Sequence, residues 1–92
     1  MIIINKQAPG TKSYVVSIGA DTFHIYADNE DETIERLVEN LDSDWYFSEL
    51  EVELMAKSVH KTLTEYIADT DLRYCPKHKI YLPKLAIEEV YI

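Results

Sequence analysis

The hydrophobic positions of this chain change their spacing part-way along it. In TFHIYA (residues 22–27), Phe23, Ile25 and Ala27 alternate with Thr22, His24 and Tyr26. An extended backbone puts those three apolar side chains on one face. YVVSI (14–18) is a second β-rich run, and Gly19-Ala20-Asp21 between the two reads as a hairpin turn. The three isoleucines at 2–4 read as a short buried strand. The polar stretch after them reads as a loop with Pro9-Gly10 as its turn signal.

From residue 29 the period lengthens. Asn29 stands three residues before Glu32, the pattern of a helix N-cap with a capping-box carboxylate. Ile34, Leu37, Val38 and Leu41 follow at i, i+3, i+4, i+7, which predicts a helix over roughly 30–41. DSDWYF interrupts it. Ser48 and Glu51 form a second capping box, predicting a helix over roughly 49–68 with Val52, Met55, Ala56, Val59, Leu63 and Tyr66 on one stripe. Leu50 and Leu54 lie away from that stripe, beside Lys57 and Lys61. DTDLRYCPKHK reads as a loop and IYL (80–82) as a short strand. Residues 84–92 read as an edge strand or a final short helix, their Ile, Val and Tyr content favouring strand. This order predicts a single α+β domain over residues 1–92: a small antiparallel sheet, built from the N-terminal strands plus a C-terminal strand, with two helices packed on one face.

Composition narrows the class. Ninety-two residues, 47% of them apolar, with two Gly and three Pro, suit one modest globular core. Cys75 is the sole cysteine, so no intramolecular disulfide forms. With no apolar signal-peptide core at the N-terminus, the expected location is a reducing cytoplasm. No apolar run approaches the ~20 residues that a membrane-spanning helix needs.

Charge adds the most distinctive feature. The formal net charge is −8, from 17 acidic against 9 basic residues. Residues 28–53 alone hold eleven carboxylates and one base, Arg36, for −10, while the segments on either side are each +1. That balance argues against direct contact with nucleic acid or an anionic membrane, and for a basic partner surface. At 100° per residue Glu32, Glu35, Glu39 and Asp42 fall within an arc of about 80°, away from the Ile34/Leu37/Val38/Leu41 stripe. They span ~15 Å of helix, a sparser row of the same sign as the phosphates of DNA, which stand ~3.4 Å apart along each strand. Asp28, Glu30, Asp31 and Asp44 widen the patch.

The helix macrodipole explains acids in a first turn, but it opposes Glu39 and Asp42 at the C-terminal end. Like-charge neighbours also cost the helix ~0.2–0.5 kcal/mol per pair, so the row is expected to oppose folding slightly. The plainer alternative is a solvated face. Trp45, Tyr46 and Phe47, flanked by Asp42, Asp44 and Glu49, read either as plugs of the core between the helices or, for one of the rings, as an anchor on a partner surface.

Catalytic and metal chemistry find little support. Cys75-Pro76-Lys77-His78 resembles half of a zinc site, but His24 and His60 are single residues on other elements and no second cysteine exists. Cys75 has no evident base and orienting carboxylate, and neither a phosphate loop nor a nucleophile elbow is present. The expectation is a protein without enzymatic activity, bound metal or cofactor.

The stretch NEDETIERLVENLDSDWYFSELEVEL (29–54), following a β-hairpin in a chain below 100 residues, resembles the acidic helical part of anti-CRISPR proteins that act as DNA mimics. That resemblance covers little more than a quarter of the chain. It implies a phage-type inhibitor in the host cytoplasm, occluding the nucleic-acid channel of a CRISPR effector. The contacts it implies fall on Asp28, Glu30, Asp31, Glu32, Glu35, Glu39, Asp42 and Asp44. The competing expectation is a structural, assembly or adaptor module. There Leu50 and Leu54 or an edge strand form a homodimer or hetero-complex, and acidity confers only solubility.

Overall fold

The computed structural model describes residues 2–4 and 10–90. Strand β2 (Lys12–Ile18) runs into β3 (Asp21–Ala27) through a two-residue turn, with Ile18 paired to Asp21 and Gly19 at φ +58°. A positive φ at the first turn position matches the twist of the flanking strands, and Gly takes it without a Cβ penalty. Alternation then buries Tyr14, Val16 and Ile18 of β2 with Phe23, Ile25 and Ala27 of β3 on one face.

Strand β7 (Leu85–Val90) pairs antiparallel with β2, and β1 (Ile2–Ile4) pairs with β3, so the sheet order is β1-β3-β2-β7. The strand expected after Pro83 is therefore present, at a sheet edge. Strand β1 runs parallel to β3 rather than antiparallel; side-chain alternation is the same in both directions, so the pattern could not reveal it. Of the other N- and C-terminal expectations, Pro9 and residues 91–92 lie outside the described residues, and Gly10 stands at φ +85°.

Helix α1 (Glu30–Glu39) covers the buried face of this sheet. Asn29 caps it, its Oδ1 accepting from the Glu32 N–H at 2.8 Å, and the Thr33 hydroxyl donates to the Asn29 carbonyl at 2.8 Å. Thr33, Ile34, Leu37 and Val38 are buried. Each large apolar side chain fully removed from water contributes ~1.5–3 kcal/mol. The helix closes at Asn40, so Asp42 lies beyond it, in extended backbone ahead of a 3₁₀ turn, Ser43–Trp45.

A second sheet, of order β4-β6-β5, is built from three short strands: β4 (Phe47–Ser48), β5 (Arg73–Cys75) and β6 (Ile80–Leu82). Cys75, Ile80 and Leu82 join the core that α1 and the larger sheet form. Residues 73–75, expected as loop, are thus a strand. The turn after them closes with Lys79 at φ +52° and its N–H on the Cys75 carbonyl at 2.8 Å. The α+β class holds, with the strands shared between two sheets.

The long second helix is two helices. Helix α2 (Glu49–Ser58) begins on the expected Ser48 cap, whose Oγ accepts from the Glu51 N–H, and α3 (Leu63–Thr70) follows. Between them His60 adopts the left-handed region at φ +58°, the Lys61 N–H reaches the Ala56 carbonyl at 3.0 Å, and the His60 N–H reaches that of Lys57 at 3.1 Å. That pair of bonds is a Schellman C-cap. Thr62 then caps α3 by accepting from the Glu65 N–H, so Thr62-Leu63-Thr64-Glu65 has the capping-box sequence pattern. The apolar stripe continued through the break and concealed it.

Helix α3 leans on α2 and buries none of its own residues completely. The molecule is accordingly long, 47 × 20 × 19 Å, with a radius of gyration of 14.2 Å against about 12 Å for a compact chain of this length.

The two descriptions of residues 49–70 differ in the sign of one substitution. In a continuous helix His60→Gly costs several tenths of a kcal/mol, whereas at a left-handed C-cap it stabilises by about 0.5–1 kcal/mol. A rise in the urea midpoint is expected for this variant; a fall means that the helix runs through residue 60.

Candidate partner-binding surface

The packing of α1 decides where its charges go. With Ile34, Leu37 and Val38 turned to the sheet, Glu32, Glu35 and Glu39 share the outward side. They line one shallow groove with Arg36 and with Lys77 from the β5–β6 turn. The row on the helix therefore has three members. Asp42, the expected fourth, is carried past the helix end and lines a different recess, beside β1 and Trp45. Glu30 lies at the other end of α1, next to Asp71 and Arg73. Asp28 and Asp44 are exposed on the segments that flank the helix.

Three of these carboxylates have basic partners. Glu32 takes the Arg36 Nε–H at 2.8 Å, one turn along the helix. Asp31 accepts from Arg73 Nη2 at 3.2 Å, and Glu39 accepts from Lys77 Nζ at 3.1 Å. The His78 Nε2 stands 3.4 Å from the same Glu39 oxygen, a charge contact only when the ring is protonated, and it makes no hydrogen bond. Among the described residues no base pairs with Asp28, Glu30, Glu35, Asp42 or Asp44. Among the described residues, eight carboxylates against Arg36, Arg73 and Lys77 leave α1 and its flanks five negative charges in excess.

The bases at 73, 77 and 78 are what the sequence reading overlooked. They sit some forty residues from α1, in a stretch read as loop, and strand β5 with the β5–β6 turn brings them over. The signal was the surplus of bases in the last third of the chain. Their presence also alters the expected energetics, because the end of the row that repels the helix dipole is held by Lys77. The Lys77 hydrogen bond, with the attraction of its charge, keeps the Glu39 carboxyl below the usual carboxylate range. The same bond to Glu39, with Glu35 adding to it, pushes the Lys77 ammonium up.

Trp45 and Tyr46 are half-buried and pack against the core. The Trp45 ring meets Phe23 edge-on, 6.0 Å between centroids and 83° between planes. Both residues act as plugs, and neither is completely buried. In the second sheet Tyr74 and Tyr81 face each other at 4.8 Å. Partial burial, then the neighbouring Glu49, pushes both phenols up. Cys75 is fully buried and unsuited to attack a substrate. No group of three or more His, Cys, Asp or Glu among the described residues could hold a metal ion. No helix among them is long and apolar enough to cross a membrane.

No protein-family model matches the chain, and neither a curated protein nor a solved structure matches it.

The Glu39–Lys77 pair carries a pH dependence of defined sign. A carboxyl lowered in the folded state contributes stability above its ordinary value of ~4.3, and that contribution is lost as pH falls through the folded value. Both partners are exposed, so the effect is small. Glu39→Gln is expected to lower Tm by a few degrees at most near neutrality, and parent and variant converge in acid where Glu39 is protonated. Equal Tm values at neutral pH would show that the pair contributes nothing.

Proposed function

We propose that this is a non-enzymatic cytoplasmic protein that binds a basic surface of another protein and occludes it. The carrying observation is the excess of five negative charges among the described residues of α1 and the segments that flank it, with Glu32, Glu35 and Glu39 on the side of the helix that the core packing turns to solvent. A surface selected for folding alone gains little from like charges on adjacent helical turns, whereas a basic partner gains from every one left unpaired. The spacing of Glu32, Glu35 and Glu39 suits a groove lined with Lys and Arg, the kind that binds nucleic-acid phosphates. The resemblance of residues 29–54 to acidic anti-CRISPR proteins narrows the proposed partner to the effector of a CRISPR system. Three bases interleaved with the acids make the surface a partial rather than a continuous phosphate mimic, so partner contacts concentrate on the unpaired carboxylates.

A second reading has its own observation. Leu50 and Leu54, one turn apart on α2, are 64% and 55% exposed. Val59 is half exposed nearby in sequence, and α3 packs chiefly on α2. Such an apolar strip on a projecting helical hairpin suits an assembly or adaptor module that pairs with a second copy or another chain.

One capture experiment separates the two. Tagged protein is used to retain partners from its source cells. The quadruple variant Asp28→Asn, Glu30→Gln, Glu35→Gln, Asp44→Asn removes unpaired charges and leaves every ion pair in place. It is expected to weaken capture at least tenfold, or ~1.4 kcal/mol. The parent complex is expected to dissociate as salt rises, because exposed charges are screened beyond ~8 Å at physiological ionic strength. Leu50→Asn with Leu54→Asn is expected to leave capture intact. The opposite pattern, with loss only in the leucine variant and no salt dependence, establishes the assembly module instead.

A further inference from the structure

Resting on the reading of this protein as a binder of a basic partner, we propose that the recess between β1 and the 3₁₀ turn takes one arginine or lysine side chain of that partner. The recess has a volume of about 290 Å³. That is at the lower limit of the ~300–1,000 Å³ typical of small-molecule sites, and it suits a single side chain. Ile2, Phe23, Leu41 and Trp45 give it apolar walls, and Asp21 and Asp42 place two carboxylates in the same lining. Arginine and lysine have this pattern in reverse: a methylene stem that lies along apolar surface, and a cationic head that seeks acid or an aromatic ring.

Among the described residues, neither carboxylate is claimed by a partner. Asp21 and Asp42 are exposed, and neither has a salt bridge or side-chain hydrogen bond to another described residue. Asp42 stands at the cap position of the 3₁₀ turn, yet its side chain makes no capping bond; only its carbonyl is used, by the Trp45 N–H at 3.1 Å. The 3₁₀ turn thus places an aspartate there without employing its side chain as a cap. The edge-on packing of Trp45 against Phe23 holds the indole at the wall. The rim is unfinished in another sense: Ile2 and Ile3 are 55% and 66% exposed, apolar surface that remains in water until something covers it. A bare divalent cation fits poorly, since hard cations take about six or more oxygen ligands and no cluster of three metal-ligating side chains exists among the described residues. An organic cation with an apolar stem satisfies both halves of the lining.

Trp45 is the sole tryptophan, so its fluorescence reads the recess directly. The probes are the capped tripeptides acetyl-Gly-Arg-Gly-amide, its lysine counterpart, and the same peptide with neutral citrulline in place of arginine. The arginine and lysine peptides are expected to change Trp45 emission saturably, and the citrulline peptide to bind at least tenfold more weakly. That comparison needs no variant and does not depend on a substitution being tolerated. Asp21→Asn with Asp42→Asn is expected to weaken the arginine peptide at least tenfold, while Glu53→Gln, which removes an exposed acid of α2 away from the recess, changes it less than twofold. Equal binding of citrulline, or undiminished binding to the double variant, overturns the proposal. So does a loss in Glu53→Gln as large as in the double variant, which marks unspecific attraction to acid. The recess can fail in this assay while the quadruple variant still loses its partner. Conversely, it can bind the peptides as expected while partner capture ignores the α1 carboxylates, in which case the functional reading is what fails.

Discussion

The contact of Ile34, Leu37 and Val38 with the β2–β3 face fixes everything else about this molecule's surface. A helix with one apolar stripe has one way to sit on a sheet, and that choice sets the direction of every other side chain it carries. Here it turns Glu32, Glu35 and Glu39 outward together. The same core takes in Cys75, Ile80 and Leu82 of the smaller sheet, and this brings the β5–β6 turn, with Lys77 and His78, up to the end of α1. The acidic groove and its partial neutralisation are consequences of one packing arrangement.

The electrostatics of that surface are a compromise. A row of carboxylates with no counterions would oppose both the helix and its own dipole at the C-terminal end. Arg36, Arg73 and Lys77 relieve that tension at three points, and five charges have no ion-pair partner among the described residues. Each exposed ion pair is worth little to stability; two of them, Asp31–Arg73 and Glu39–Lys77, bridge the helix to the small sheet that core packing already holds there. The far end of the molecule follows a different rule. Helices α2 and α3 project as a hairpin that buries Val52 and Ala56 and leaves Leu50 and Leu54 in water, which is why an assembly role has a physical basis of its own.

What was legible in the sequence was the local and periodic part. Alternation at 22–27 and the Gly19-Ala20 turn specify the hairpin, and the Asn29 and Ser48 caps locate the starts of α1 and α2. The last strand was legible too, from its β-branched and aromatic content. Three features were not. The break at residues 59–62 lay inside an unbroken apolar stripe, and the cap that makes it uses His60 in a conformation usually given to Gly. Strands β4 and β5, of two and three residues, are too short for any period to show. The pairing of Asp31 with Arg73 and of Glu39 with Lys77 spans about forty residues and depends on tertiary packing alone. For the candidate surface, the identity of the carboxylates was readable and their grouping was not: Asp42 left the row because α1 ends at Glu39.

The account stands or falls on which side chains touch the partner, and zero-length crosslinking measures that directly. Carbodiimide couples a carboxylate to a lysine amine only where the two are in contact. Applied to the captured complex and read by mass spectrometry, it should join Glu35 and the neighbouring unpaired acids around α1 to lysines of the partner. Crosslinks confined to Glu51 and Glu53, beside Leu50 and Leu54 on α2, with none from the α1 face, would contradict it.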